Sequence, residues 1–171
     1  MASRIEWNDE YLLGINEIDL QHKQLLKLAN DLYDVTTGSL ENYELQMPSV
    51  LKKLTDYTEY HFKNEEDFME KHGYIGTSAH KMAHKGFINE VGTQIKLLSV
   101  ENVESATKFY DFIVGWVLTH IAKADKVWAT THTKQVIVNG LDSSMHLWLY
   151  DATGKLLYNE PTSNYQHTYS V

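Results

Sequence analysis

Five histidines and two carboxylates in this chain stand at spacings that suit metal chemistry: His22, His61 with Glu65, His80 with His84, and His120 with Asp125. Imidazole is a ligand for iron, copper, zinc and nickel, and a carboxylate can bridge two ions. His61/Glu65 and His80/His84 are i,i+4 pairs, so on a helix each pair presents two donors on one face. His120/Asp125 is an i,i+5 pair. At about 100° per residue a regular helix splays such a pair well apart, so it demands a local bulge or a long reach. Bulges of the π type concentrate at functional sites. Seven donors exceed the needs of one first-row ion and suit two. Two six-coordinate ions would still lack ligands, which leaves room for a water-derived bridge and an open position. The chain has no cysteine, so thiolate metal sites, disulfides and cysteine nucleophiles are excluded.

A lone H-x-x-x-H pair carries little information. What singles out these seven is their position on the elements that must hold them. The periodicity predicts a first helix over about 18–35, with the stripe Ile18, His22, Leu25, Ala29 and Leu32, ended by Thr37-Gly38-Ser39. A second helix is expected to begin between Asn42 and Pro48, with Pro48 in its first turn or as an early kink. Its stripe is Leu51, Leu54, Thr58, His61, Glu65 and Phe68, and Gly73 suits the residue just past its end. A third helix is expected to start with Thr77 or Ser78 as N-cap, its stripe His80, His84, Phe87, Val91, Ile95 and Leu98. The fourth runs over about 103–129 through Phe109, Ile113, Trp116 and His120.

Four such helices with short links predict an all-α, antiparallel up-down-up-down four-helix bundle. Starts of odd helices and ends of even helices share one end of that bundle. All seven donors fall at that end. Six of them interrupt an apolar stripe, where a polar side chain requires a partner, and Asp125 joins them only through a bulge or a long reach. His72, His132, His146 and His167 lie off these stripes and read as ordinary histidines.

The bulk properties agree with one small globular protein. The chain has 171 residues, 43% hydrophobic and 22% charged, with a formal net charge of -8. That charge argues against nucleic acid and anionic membrane surfaces as partners. The N-terminus carries no apolar stretch of the secretory kind and no run reaches membrane-spanning length, so a cytoplasmic location is the expectation. Residues 1–16 read as an irregular arm anchored by Trp7 and Tyr11. Residues 133–171 change character: Val136–Val138, Met145–Tyr150 and Lys155–Tyr158 read as strands, with turns at Asn139-Gly140 and Asp151–Gly154. The expected division is 1–132 for the bundle and 133–171 for a strand-rich C-terminal extension, whose edges favour self-association.

Four stretches resemble the hemerythrin family, in particular the bacterial single-domain bacteriohemerythrins. They are Gly14–Lys23, His61–Glu66, His80–His84 and Trp116–Asp125, and the resemblance covers about residues 5–131. It implies two non-haem iron ions with an oxo or hydroxo bridge. His80, His84 and His120 would hold one iron. His22 and His61 would hold the other, with its open position, and Glu65 and Asp125 would bridge. It implies reversible O2 binding in carriage, storage or sensing, in an apolar pocket of Leu25, Phe62, Trp116, Val117 and Ile121, and no enzyme activity. Trp128 stands one turn past Asp125, where many relatives carry tyrosine.

Two alternatives use the same ligands. A di-iron peroxidase, oxidase or nitric-oxide-handling enzyme would need a proton donor on the pocket stripe, and none is evident. An iron-storage centre of the ferritin type would be rich in carboxylates, whereas this set is rich in imidazoles.

Overall fold

The computed structural model describes residues 3–99, 102–133, 135–139, 146–150, 156–161 and 166–170, with side chains described through residue 130. The first three long helices are α1 (Asn16–Thr36), α2 (Leu40–Lys71) and α3 (Thr77–Ile95). The fourth rod comprises α4 (Val103–His120), a π-helical turn (Ile121–Asp125) and α5 (Lys126–Thr133). The first three helices each pack against the next in sequence, and α1 packs against α4. Short links between consecutive helices make neighbours antiparallel.

Most predicted stripe positions face the core, while Leu51, Phe68 and Ile95 are half-buried and Leu98 lies beyond the end of α3. Ile18, His22, Leu25, Ala29 and Leu32 of α1 are buried, as are Leu54, Thr58, His61 and Glu65 of α2, and His80, His84, Phe87 and Val91 of α3. Helix ends differ from expectation where side-chain caps decide them. α2 begins earlier than predicted because the Ser39 hydroxyl accepts from the Asn42 amide, at 3.2 Å, as an N-cap. Pro48 therefore lies inside the helix, beyond its first turn. Neither Thr77 nor Ser78 caps α3. Gly76 holds that place without a side-chain bond, and the Thr77 hydroxyl donates back to the Tyr74 carbonyl.

The end of α2 follows prediction. Gly73 adopts φ 65°, while its own amide donates to the Glu70 carbonyl and the Tyr74 amide to the Met69 carbonyl. This is a Schellman ending, which needs a residue without a Cβ penalty at the left-handed position. It turns the chain sharply between the helices that carry His61/Glu65 and His80/His84.

The arm before α1 is anchored in part as expected, with the Lys23 ammonium of α1 lying 4.9 Å over the Trp7 ring. Trp7 and Tyr11 pack edge to face and are half-buried. The main ties are polar. Asn30 Nδ2 donates to the Ile5 carbonyl while Asn30 Oδ1 accepts from the Ile5 amide, each at 2.8 Å, and the Tyr110 hydroxyl donates to the Ser3 carbonyl. The buried Asp19 carboxylate accepts from the Leu13 and Gly14 amides at 2.7 and 3.0 Å.

The chain divides into two compact units, Met1–Trp128 and Ala129–Val171. The second unit contains β1 (Gln135–Asn139), β2 (His146–Tyr150), β3 (Leu156–Pro161) and β4 (Gln166–Ser170). β1 pairs antiparallel with β4, and β2 with β3. The turns expected at Asn139-Gly140 and Asp151–Gly154 involve residues outside the described set. Among the described residues no helix is long and apolar enough to cross a membrane.

Asp19→Ala strands two backbone donors beside the first turn of α1. Bonds to a buried carboxylate are worth about 1.5–3 kcal/mol, so a loss of roughly 2–3 kcal/mol is expected. Urea unfolding followed by circular dichroism measures it, and a change below about 0.5 kcal/mol would refute the tie.

Candidate metal centre

All seven predicted donors meet at one end of the bundle, and all are buried. His22 comes from the first turns of α1, His61 and Glu65 from the last third of α2, His80 and His84 from the start of α3, His120 from the end of α4, and Asp125 from the π turn. That turn removes the difficulty of the i,i+5 spacing. Its closing bond runs from the Lys126 amide to the Ile121 carbonyl, five residues back. One extra residue is thus taken up in the turn, and positions i and i+5 stand roughly as i and i+4 do in an α-helix. His120 Nε2 lies 3.1 Å from Asp125 Oδ1, comparable with the 3.7 Å between His61 Nε2 and Glu65 Oε2 across a true i,i+4 pair.

Two groupings share Glu65. One comprises Glu65, His80, His84 and His120, the other His22, His61 and Glu65, and within each the donor atoms lie within 4.8 Å of one another. Asp125 joins both: its oxygens are 3.3 Å from His80 Nε2 and 3.4 Å from His22 Nε2. Glu65 reaches His22 at 3.5 Å, His80 at 3.6 Å and His84 at 3.4 Å.

The donor spacing fits a metal. His84 Nε2 and His80 Nε2 each lie 3.0 Å from His120 Nε2. Cis ligands on one ion at metal–nitrogen distances of about 2.1 Å stand about 3 Å apart. Both oxygens of Glu65, both oxygens of Asp125 and both ring nitrogens of His22 are buried without a hydrogen-bond partner of sound geometry. Such groups are costly to bury unless something compensates them. Two cations among them would do so.

Electrostatics show what stands in for metal when protons alone are available. Burial penalises charge on His22, but the Asp125 and Glu65 carboxylates outweigh it and push its pKa up to about 9. The same balance raises His80 to about 9. His61, where burial prevails, is lowered to about 4. Burial and the Asp125 charge push Glu65 up, yet the surrounding imidazoles win and hold it below the usual carboxylate range. Asp125 is likewise held well below that range, its desolvation overcome by His120, His22 and His80.

Two positioning side chains were not foreseen from the sequence. Gln21 Oε1 accepts from His61 Nδ1 at 3.0 Å, and Glu66 Oε1 accepts from His84 Nδ1 at 2.9 Å. Both stand next to a ligand in sequence and off the apolar stripes. The signal available was chemical: an imidazole that binds through Nε2 needs an acceptor on Nδ1. Of the five expected pocket residues, Leu25, Phe62, Val117 and Ile121 are buried and Trp116 is half-buried. Phe62 stacks on the His84 ring at 3.7 Å and Trp116 on the His120 ring at 4.3 Å. Leu25 and Val117 stand within one helical turn of His22 and His120, and Ile121 comes directly after His120.

The model of the hemerythrin HHE cation binding domain matches residues 13–131. A bacteriohemerythrin of Clostridium acetobutylicum is 32% identical over 123 residues, covering 70% of this chain and 95% of the relative. A bacteriohemerythrin of Pseudomonas aeruginosa is 32% identical over 150 residues, 86% of this chain and 94% of the relative. A hemerythrin-like protein of Naegleria gruberi is 32% identical over 125 residues, 73% and 91% of the two chains. A crystal structure of wild-type hemerythrin superposes with a TM-score of 0.60 at 27% identity, covering 75% of this chain and 97% of that one. These likenesses support the all-α bundle and lend no support to the strand-rich extension.

Metal binding requires neutral imidazoles. In the metal-free chain His22 and His80 hold their protons up to about pH 9, above the ordinary imidazole value of 6.5. These protons stabilise the metal-free fold below about pH 6.5, and that contribution is lost as pH rises through about 9. Loading at pH 7 is therefore expected to expel about one proton from each, and the count should shrink as the loading pH approaches 9. Calorimetry in buffers of different ionisation enthalpy counts them, and no net release at pH 7 would contradict the assignment.

Proposed function

The chain belongs to the hemerythrin family, and on that premise we propose that it binds O2 reversibly at a non-haem di-iron centre. His80, His84 and His120 hold one iron, His22 and His61 hold the other, and Glu65 and Asp125 lie between them as bridges. The observation that carries this is the unequal division of imidazoles around two shared carboxylates, three on one side and two on the other. The position with fewer protein ligands is the one left open to a small molecule. When bound, the pair of irons, with its oxo or hydroxo bridge, supplies the electrons that make O2 a ligand.

The protein's own residues govern how such a ligand is kept. Burial of all seven ligating side chains keeps bulk water from the metal positions. Phe62, Leu25, Val117 and Ile121 offer apolar surface and no proton, while the Phe62 and Trp116 rings brace His84 and His120 by stacking. An apolar lining holds a bound ligand without a route for protonating and releasing it, which favours binding over turnover. An enzyme of the oxidase or peroxidase class would need a free acid there. Glu66 is instead engaged by His84, with a Lys81–Glu66 ion pair at 3.7 Å.

The strands of residues 133–171 support a separate role in association of copies of this chain. Among the described residues each strand pairs on one side only, which leaves edges open to a further strand. Sedimentation of the full chain across a hundredfold concentration range should show growth in mass, and a constant monomer mass would dismiss this role.

The function is tested by loading the chain with ferrous iron and recording visible spectra under nitrogen, air and nitrogen again. A band that appears in air and fades under nitrogen is expected. Irreversible bleaching within seconds would favour an oxidase, and uptake well short of two irons per chain would overturn the centre itself. His61→Ala and Glu65→Ala should each abolish the two-iron state, and retention of both irons in both variants would refute the ligand assignment.

A further inference from the structure

Glu66 stands outside the ligand set but touches it. Its Oε1 lies 2.9 Å from His84 Nδ1. An ionised carboxylate only accepts, so the shared hydrogen is on His84 Nδ1, and in the neutral ring the lone pair is on Nε2, which lies 3.0 Å from His120 Nε2. The Phe62 ring lies parallel to the same imidazole, 2° from coplanar at 3.7 Å. The ring is thus held at its edge and on its face. Glu66 is part-exposed in a groove of about 460 Å³ that also reaches Phe62, Lys81 and His84. The other grouping is backed differently: His61 Nδ1 donates to the neutral amide oxygen of Gln21.

We propose that Glu66 is a positioning residue that makes the two metal positions electronically unequal. It fixes the His84 tautomer and, through a carboxylate charge on Nδ1–H that it shares with Lys81 at 3.7 Å, strengthens His84 as a donor. Gln21 fixes His61 without adding charge. A stronger donor favours the higher oxidation state, so the three-histidine position holds ferric charge more readily than the two-histidine position. This rests on the di-iron centre proposed above and assigns its asymmetry to one residue.

The test has two arms on the full-length chain. In the metal-free protein, nitrogen NMR of the imidazoles should show His84 protonated at Nδ1, and Glu66→Ala should shift it to a mixture of tautomers. In the iron-loaded protein, Glu66→Gln keeps the hydrogen bond and removes the charge. It should retain two irons while its first one-electron reduction potential rises. Glu66→Ala should weaken ferrous affinity about 10- to 100-fold at one of the two positions. A wild-type His84 protonated at Nε2, or a Glu66→Gln variant with unchanged potential, would overturn the proposal. A wild-type chain that takes up fewer than two irons would overturn the di-iron centre instead, and the NMR arm would still decide whether Glu66 orients His84.

Discussion

Two carboxylates with no solvent exposure sit among five buried imidazoles, and the rest of the structure answers to that burial. Isolated charges in such a place cost several kcal/mol each even after relaxation. The cluster is tolerable only if cations lie among the oxygens. In the metal-free chain those cations are protons on His22 and His80, whose raised pKa values mark how strongly Glu65 and Asp125 call for positive charge. Two metal ions would satisfy the same demand more fully, and metal loading would then add to the stability of the fold.

That demand sets the geometry of the helices. Donors arrive from four rods at one level because the links between the rods are short and each rod begins or ends near the site. The Schellman ending at Gly73 returns the chain within a few residues, so that the α2 pair and the α3 pair face each other. Asp19 fixes the entry to α1 just before His22. Aromatic rings then brace the imidazoles from outside, Phe62 against His84 and Trp116 against His120.

Much of this was legible in the sequence. Helical periodicity exposes polar residues on apolar stripes, and six of the seven donors declare themselves that way. Asp125 required a departure from α geometry that spacing can demand but not locate. What stayed hidden has local causes. Gln21 and Glu66 act by hydrogen bonds across helices, at positions where a polar residue needs no explanation. Ser39 caps α2 through one bond that competes with the pull of Pro48 toward a later start. The Asn30–Ile5 exchange that ties down the arm spans 25 residues, beyond any local pattern. The pairing of β1 with β4 joins the two ends of the extension, and nothing in either strand names its partner.

The π turn has a consequence for the heptad register of the fourth rod. Ala106, Ile113 and His120 recur every seventh residue and are all buried. The next place in that register, Val127, is 57% exposed, and its neighbour Trp128 is buried at 2%. Seven residues nearly complete two α-helical turns, so the core-facing phase has slipped by one residue across Ile121–Asp125. A chain one residue shorter in that segment would keep Trp128 in the core and still aim its carboxylate at the site. Length there is a silent variable: losing the extra residue within Ile121–Asp125 leaves the core in phase, while the same loss one turn earlier would turn the core-facing residues outward.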